Sequence, residues 1–245
     1  MIYLAPGTSV LGVFGASMDN PVFTIDFETT DKDPKLAKPV EVALYNDEWQ
    51  YETFIFCENI PVETSAIHHI IDRDVADAPN WDTVKANLAQ SVGRTAPLAV
   101  LVAHNAEYEK TILGPDFVPV LWVCTYKCSL RVWPDAPAHR NEVLRYHLKL
   151  GDNRGRQNSQ SAHNAMHDCK VTFLLFKELL KHTTLQQLIE WTEQPAKLPF
   201  IPMGKHYKQT WDTIPGPYLQ WVVKQTEMRE DVLWCAKEEL ARRRR

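Results

Sequence analysis

The stretch VFTIDFETT, Val22 to Thr30, decides how the rest of the chain is read. Val22, Phe23 and Ile25 form a short run rich in β-branched and aromatic residues, the composition of a buried strand. Asp26 and Glu28 stand at its end with one residue between them. In an extended chain, side chains two apart share a side, so the two carboxylates point one way and Phe27 the other. Two like charges at a buried strand end repel and are costly to desolvate, so they call for a cation, a shared proton or water. An isolated D-x-E is ordinarily a strand end opening into solvent. Whether this one is more depends on the acids elsewhere in the chain.

Working outward, DKDPKLAKP is a charged turn, and Val40–Tyr45 and Tyr51–Cys57 read as two further strands of an antiparallel meander. Pro61 to Pro79 reads as loop and short helix, and Trp81–Val92 has helical spacing. Leu98–Ala103 is an unbroken apolar run, as expected of a central strand covered on both faces. Asn105 is expected to cap a helix to Leu113. A strand at Val120–Cys124 and helices at Thr125–Val132 and Asn141–Leu150 follow. After the polar loop GDNRGRQNSQ, Ser161 is expected to cap a helix to about Lys181, and another starts at Thr184. Strands first and then alternating helix and strand indicate an α/β layered domain with a mixed sheet. From Gln194 the prolines at 195, 199, 202, 215 and 217 mark a change of texture that ends in a helix, Arg229–Arg242.

The 245 residues allow one domain of ordinary size with a small appendage. Net charge is −4 with a pI near 6.1, so any contact with nucleic acid must come from local patches. One such patch is Lys127 to Arg156, where Lys and Arg outnumber Asp and Glu. No apolar run is long enough to span a bilayer, and no Lys or Arg precedes the apolar N-terminal stretch as a secretory signal would require. Five cysteines without a C-x-x-C pair fit reduced thiols and a cytoplasmic setting.

Two later stretches change the reading of Asp26 and Glu28. LVAHNAEYEKTIL, Leu101 to Leu113, delivers His104 and Asn105 from a buried strand and Glu109 one turn into a helix. HNAMHDCKVTFLLFKELL, His163 to Leu180, sets Asp168 beside an apolar helix stripe, with His163 five residues earlier. Asp26, Glu28, Glu109 and Asp168 can then converge at the carboxyl ends of adjacent strands. Four carboxylates with no matching Lys or Arg at those motifs require about two divalent cations, and oxygen-only ligands suit Mg²⁺ or Mn²⁺.

The order D-x-E, then A-H-N-x-x-aromatic-acid, then H-x-A-x-x-D resembles that of the DEDDh 3′–5′ exonucleases, the DnaQ-like or RNase T-like family. The resemblance covers Val22 to Leu180 and is nearest to the exonuclease X branch, which WVCTYKCSLRVWP, SAIHHIIDRDVADAP and PMGKHYKQTWDTIPGPYLQWV also resemble. It implies a ribonuclease H-like layered fold, a mixed central sheet flanked by helices, over residues 22–193. Residues 1–21 are then an N-terminal arm or extra strand, and 194–245 a small C-terminal module. It implies a 3′–5′ exonuclease acting on DNA 3′ ends, single- or double-stranded, with two Mg²⁺ or Mn²⁺. The alternatives are RNA trimming by the same fold and a degenerate nucleic-acid-binding protein.

Carried over by position, Asp26 bridges both metals, Glu28 and Asp168 support the metal that activates water, and His163 is the general base. Glu109 stands where the family has Asp. Phe27, Thr29, His68 and Asn105 are the substrate-binding positions, with His69 the competitor to His68. His167 competes with His163 on residue chemistry alone; the family's spacing selects His163. His104 reads as a structural hydrogen-bonder at a strand–helix junction. The family also suggests a homodimer and no membrane partner.

Overall fold

The computed structural model describes residues 20–93, 98–151 and 164–244. The expected arm over 1–21, the Ser161 cap and His163 therefore fall wholly or largely outside the described residues. Among these, one five-stranded sheet runs β1 (Val22–Thr29), β2 (Pro39–Tyr45), β3 (Gln50–Phe54), β4 (Val100–Ala103) and β5 (Leu121–Cys124) in chain order. In space the order is β3-β2-β1-β4-β5. β1 and β2 pair antiparallel, as do β2 and β3, whereas β4 pairs parallel with both β1 and β5. This is the meander, extended into a mixed sheet. The helices are α1 (Val62–His68), α2 (Asp72–Val75), α3 (Trp81–Gly93), α4 (Glu107–Leu113), α5 (Thr125–Val132), α6 (Asn141–His147), α7 (Ala165–Leu179), α8 (Leu185–Glu193), α9 (Gly216–Val223) and α10 (Glu230–Arg242). None is long and apolar enough to cross a membrane.

The period of two in the strands divides the core. Phe23, Ile25 and Phe27 join Leu101, Ala103 and Cys124 in a cluster with Val84, Leu88 and Val92 of α3 and Ile112 and Leu113 of α4. Val22, Val100, Val102, Leu121 and Val123 point the other way, against Phe173, Phe176 and Leu179 of α7 and Leu185, Leu188 and Ile189 of α8. Each fully buried aliphatic side chain contributes about 1.5–3 kcal/mol relative to exposure, so burial on both faces holds the three parallel strands in place. Asp26 and Glu28 share the parity of Val22 and therefore lie on the α7 side.

Two expected caps differ from what is seen. Asn105 has φ 75°, in the left-handed region, and turns the chain between β4 and α4; Ala106 is the residue that caps α4. Asn is among the few residues that accept this conformation readily. The cap of α7 is Asn164, whose Oδ1 accepts the His167 amide at 3.1 Å. Leu198, Ile201, Trp211, Ile214 and Leu219 form a further cluster with Val232 and Ala236 of α10, closed by Leu130 of α5.

Candidate active site

β1 and α7 supply the centre. Asp26 and Glu28 come from the carboxyl end of β1, where the pairing with β2 shifts register between Glu28 and Thr29. Such a bulge re-aims side chains at a strand end. Asp168 sits in the first turn of α7. Carboxylate oxygens of Asp26, Glu28 and Asp168 all lie within 4.8 Å of one another. Asn141 of α6 fixes the helix at this point, donating to the Asp168 carbonyl at 3.2 Å and to Thr172 Oγ1 at 3.1 Å.

Glu109 reaches the same place from α4. It is buried, and its Oε2 has no hydrogen-bond partner. It does not join the 4.8 Å group, yet its charge acts on Asp26. Burial, then the charges of Asp168, Glu28, Glu109 and Glu41, push the Asp26 carboxyl well above its ordinary range. Burial and the charges of Asp168 and Glu41 lift Glu28 to about 8, and burial lifts Glu109 to about 8. Among the described residues, no lysine or arginine influences these three groups. An acid set that is buried, mutually repelling and all oxygen, with one oxygen left unpartnered, has the donor chemistry of a hard divalent cation site.

Two supporting acids escaped the sequence reading. Glu41 lies opposite Glu28 in the β1–β2 register and is buried. Its Oε2 accepts the Ala165 amide at 3.1 Å and its Oε1 accepts from Asn164 Nδ2 at 3.2 Å, tying the start of α7 to the sheet. The signal was present: an acid in the apolar run V-E-V-A-L-Y must find donors if it is buried. Glu142 accepts from His167 Nε2 at 2.9 Å and from Arg145, at 2.7 Å at the closest. Burial would raise Glu142, but the hydrogen bonds from Arg145 and His167 outweigh it and hold the carboxyl low. That pairing has no sequence signal beyond a helix i,i+3 spacing.

Of the four positions expected to bind substrate, Phe27, Thr29 and His68 line one cavity of about 260 Å³ together with Glu28 and Tyr108. Phe27 packs edge-on to Trp81 at 5.8 Å. The Thr29 and Tyr108 hydroxyls are hydrogen-bonded to each other and both lie on the Asp31 carbonyl. His68 Nδ1 accepts the Ile70 amide at 3.1 Å, which places the ring proton on Nε2. His69 is exposed at the left-handed end of α1. Asn105 lines a different, larger cavity with His104 and Asn141.

His104 is structural. Nε2 donates to the His139 carbonyl at 2.8 Å and Nδ1 meets Thr125 Oγ1 at 2.9 Å; burial lowers its pKa to about 4, so the ring is neutral. All five cysteines are free and buried, and burial pushes the Cys128 thiol up to about 12. Trp122, Trp133 and Trp211 pack in the cores and Trp221 is exposed.

No family model matches the chain, and no curated protein matches it. Solved structures do. Exonuclease X in complex with 5′ overhanging duplex DNA is 26% identical with a TM-score of 0.57, over 70% of this chain and 99% of that one. E. coli exonuclease I in complex with a dA16 oligonucleotide is 14% identical with a TM-score of 0.53, over 70% of this chain. The match spans 42% of that exonuclease I chain. Cell-death related nuclease 4 (CRN-4) is 14% identical with a TM-score of 0.50, over 66% of this chain and 64% of its own. The chain thus has the exonuclease ribonuclease H-like fold, and its structural neighbours are DEDDh-type 3′–5′ exonucleases.

Proposed function

We propose that the chain is a divalent-metal-dependent 3′–5′ exonuclease that removes nucleotides from DNA 3′ ends. The observation that carries this reading is the Asp26–Glu28–Asp168 group, three carboxylates whose oxygens lie within 4.8 Å where β1 meets α7, with the two on β1 pushed up by burial and by neighbouring carboxylate charges. Asp26, Glu28, Glu109 and Asp168 would hold two Mg²⁺ or Mn²⁺. When bound, such a pair stabilises the charge that develops on phosphate and oxygen during in-line displacement and makes water a stronger nucleophile.

The chain's own groups do the rest. The cavity of Phe27, Thr29, His68 and Tyr108 opens beside Glu28 and is suited to the terminal nucleotide. Phe27 and Tyr108 offer ring surface, and His68 carries a ring N–H donor. Asn105, in its strained turn, is the fourth contact to the substrate. His163 takes the proton of the attacking water on its imidazole. The choice of His163 is supported by motif spacing and by the commitment of His167 Nε2 to Glu142. DNA as the substrate is supported by the DNA bound in the exonuclease X structure.

The test is digestion of 5′-labelled single-stranded DNA, duplex DNA and RNA in Mg²⁺ and Mn²⁺. The expected result is a ladder of shortened 5′-labelled DNA products, abolished by EDTA and by Asp26→Ala. A label released at once from the 5′ end, full activity in EDTA, or residual Asp26→Ala activity above about 10%, less than a lost metal ligand should cost, would overturn the reading. Digestion of RNA alone would transfer it to an RNA-trimming enzyme.

A further inference from the structure

Arg131 of α5 lies near the rings of both Trp191 and Trp234, 5.8 and 5.7 Å from their centroids, and donates to Gln194 Oε1 and the Pro195 carbonyl at 3.1 Å. With Leu130 closing the C-terminal cluster, this fastens the segment after Gln194 onto the helix that follows β5. The join leaves two depressions. The first, of about 850 Å³, begins at Asn141, which donates to the Asp168 backbone carbonyl, and reaches Arg229 and Asp231. Its cations Lys127, Arg140 and Arg229 are balanced by Glu107, Glu230 and Asp231, so it has no net charge. The second, of about 440 Å³, shares His139 with the first and leads away from the carboxylates.

The second depression differs in character. It is walled by Pro134, Pro137, Leu198, Phe200, Tyr207 and Lys208 among others, and none of the described residues lining it is acidic. Phe200 is 38% and Tyr207 58% exposed. Lys208 holds its ammonium 5.3 Å from the Tyr207 ring centroid. Its backbone has φ 63°, and its amide donates to the Ile201 carbonyl at 2.8 Å, which fixes the Lys208 backbone at the groove's edge

. Exposed aromatic surface is costly in water unless a partner covers it. An aromatic rim with a fixed cation and no acid fits a partner that is itself anionic and presents flat apolar faces. Single-stranded nucleic acid has both properties, through its phosphates and its bases. A proline-rich peptide would use the rings but would gain nothing from the lysine.

We infer that this depression, rimmed by Phe200, Tyr207 and Lys208, docks the single-stranded nucleic acid upstream of the 3′ end held at the carboxylates. The inference rests on the exonuclease reading above for the position of that end. The strand leaves the carboxylates through the neutral depression, passes His139 and is gripped by stacking and one phosphate contact at the C-terminal segment.

The test compares a trinucleotide with a long oligo-dT, using Tyr207→Ala and Lys208→Ala. Both residues are exposed, and equal thermal melting of variant and wild type checks the fold. Affinity is read by fluorescence anisotropy on oligo-dT with a phosphorothioate at the 3′-terminal linkage, in Ca²⁺; turnover is read separately in Mg²⁺. Tyr207→Ala should weaken long-oligonucleotide binding by about 5-fold to 100-fold, the worth of one base stack. Lys208→Ala should lower the slope of log affinity against log salt by about 0.7, one phosphate contact on a single strand. Trinucleotide turnover should stay at the wild-type level in both. Unchanged affinity for the long strand overturns the inference, as do equal losses on the two substrates. Wild-type binding of a proline-rich peptide with none of oligo-dT overturns it as well. A wild type that binds the long strand but hydrolyses nothing overturns the exonuclease reading instead, and the variants' affinities then decide the docking site.

Discussion

On one side of Asp168, Glu142 holds Arg145 at 2.7 Å and His167 at 2.9 Å; on the other stand Asp26 and Glu28, with Glu109 behind them and, among the described residues, no cation acting on any of the three. The first acid is held below its ordinary range and the other three are pushed above theirs. The two groups meet at Asp168 in the first turn of α7, so the difference is a matter of partners and not of distance from the centre. An acid given its own cation contributes to the fold as a charge. Acids denied one make the fold less stable in their charged form, and only a cation from outside reverses that. Perturbed acids of the second kind mark functional sites more often than the first.

The sharpest way to break this comparison is to neutralise one acid on each side. Asp26→Asn should lower turnover by about 10³-fold or more, since several kcal/mol of metal-borne stabilisation are lost. It should also raise the stability of the metal-free protein by about 1–2 kcal/mol, the usual gain when a strained functional charge is removed. Glu142→Gln should do the reverse, lowering turnover far less and stability by about 1–3 kcal/mol, because the buried Arg145 loses its carboxylate. Chemical denaturation in EDTA beside a nuclease assay reads both effects. If Asp26→Asn destabilises the metal-free protein as much as Glu142→Gln does, the two groups are of one kind.

That asymmetry was half legible in the sequence. The three acidic motifs were visible because functional acids recur at strand ends and helix starts whose apolar flanks announce them, as Val22–Ile25 does for Asp26. The strands were legible for the same reason: each is a short apolar run with period two or none, and all five lie within a few residues of their expected places. What could not be read were pairings across the chain. Glu41 meets Asn164 over 123 positions and His167 meets Glu142 over 25, and neither distance follows from local pattern. Asn105 was misread as a cap because residues that cap helices also favour the left-handed turn it occupies. The short helix α9, Gly216–Val223, was hidden by the prolines around it, one of which stands in its first turn, where proline is tolerated.

A gentler test uses pH. Glu28 and Glu109 titrate near 8 in the fold against an ordinary 4.5, so the folded state holds protons that the unfolded state has lost. The stability they allow is complete below about pH 4.5 and is lost as pH rises through 8. His104 acts oppositely, since its pKa falls from 6.5 to about 4 and its contribution grows with pH between those values. Above pH 6.5 only the carboxylates remain of these three. Between pH 6.5 and 8 the melting temperature in EDTA should therefore fall, and saturating Mg²⁺ or Mn²⁺, which binds the deprotonated acids, should flatten or invert that slope. A melting temperature that rises over this window in EDTA, or that ignores the metal, would show that the unpaired group is not a cation site.

The smallest expected effect concerns Glu109, the position at which this chain departs from the family pattern it resembles. A glutamate reaches one methylene further than the aspartate expected there, and here it uses that reach from α4 while burying its carboxylate with Oε2 unpartnered. An acid that had drifted after loss of function would more often have become a neutral residue, since a buried charge without a partner costs several kcal/mol unless it is protonated or meets a cation. Its retention as an acid therefore favours a working ligand. Glu109→Asp shortens the side chain at fixed charge, and a rotamer change recovers part of the distance, so turnover should change by only about tenfold or less, with a shift in the Mg²⁺ to Mn²⁺ ratio. Glu109→Ala removes the charge facing the other acids and should cost far more turnover while raising metal-free stability, as Asp26→Asn does. Measuring wild type, Glu109→Asp and Glu109→Ala side by side in both metals separates the outcomes. Equal rates for wild type and the alanine variant would remove Glu109 from the metal group, whereas an inert wild type revived by Glu109→Asp would make the glutamate the lesion that silenced the site.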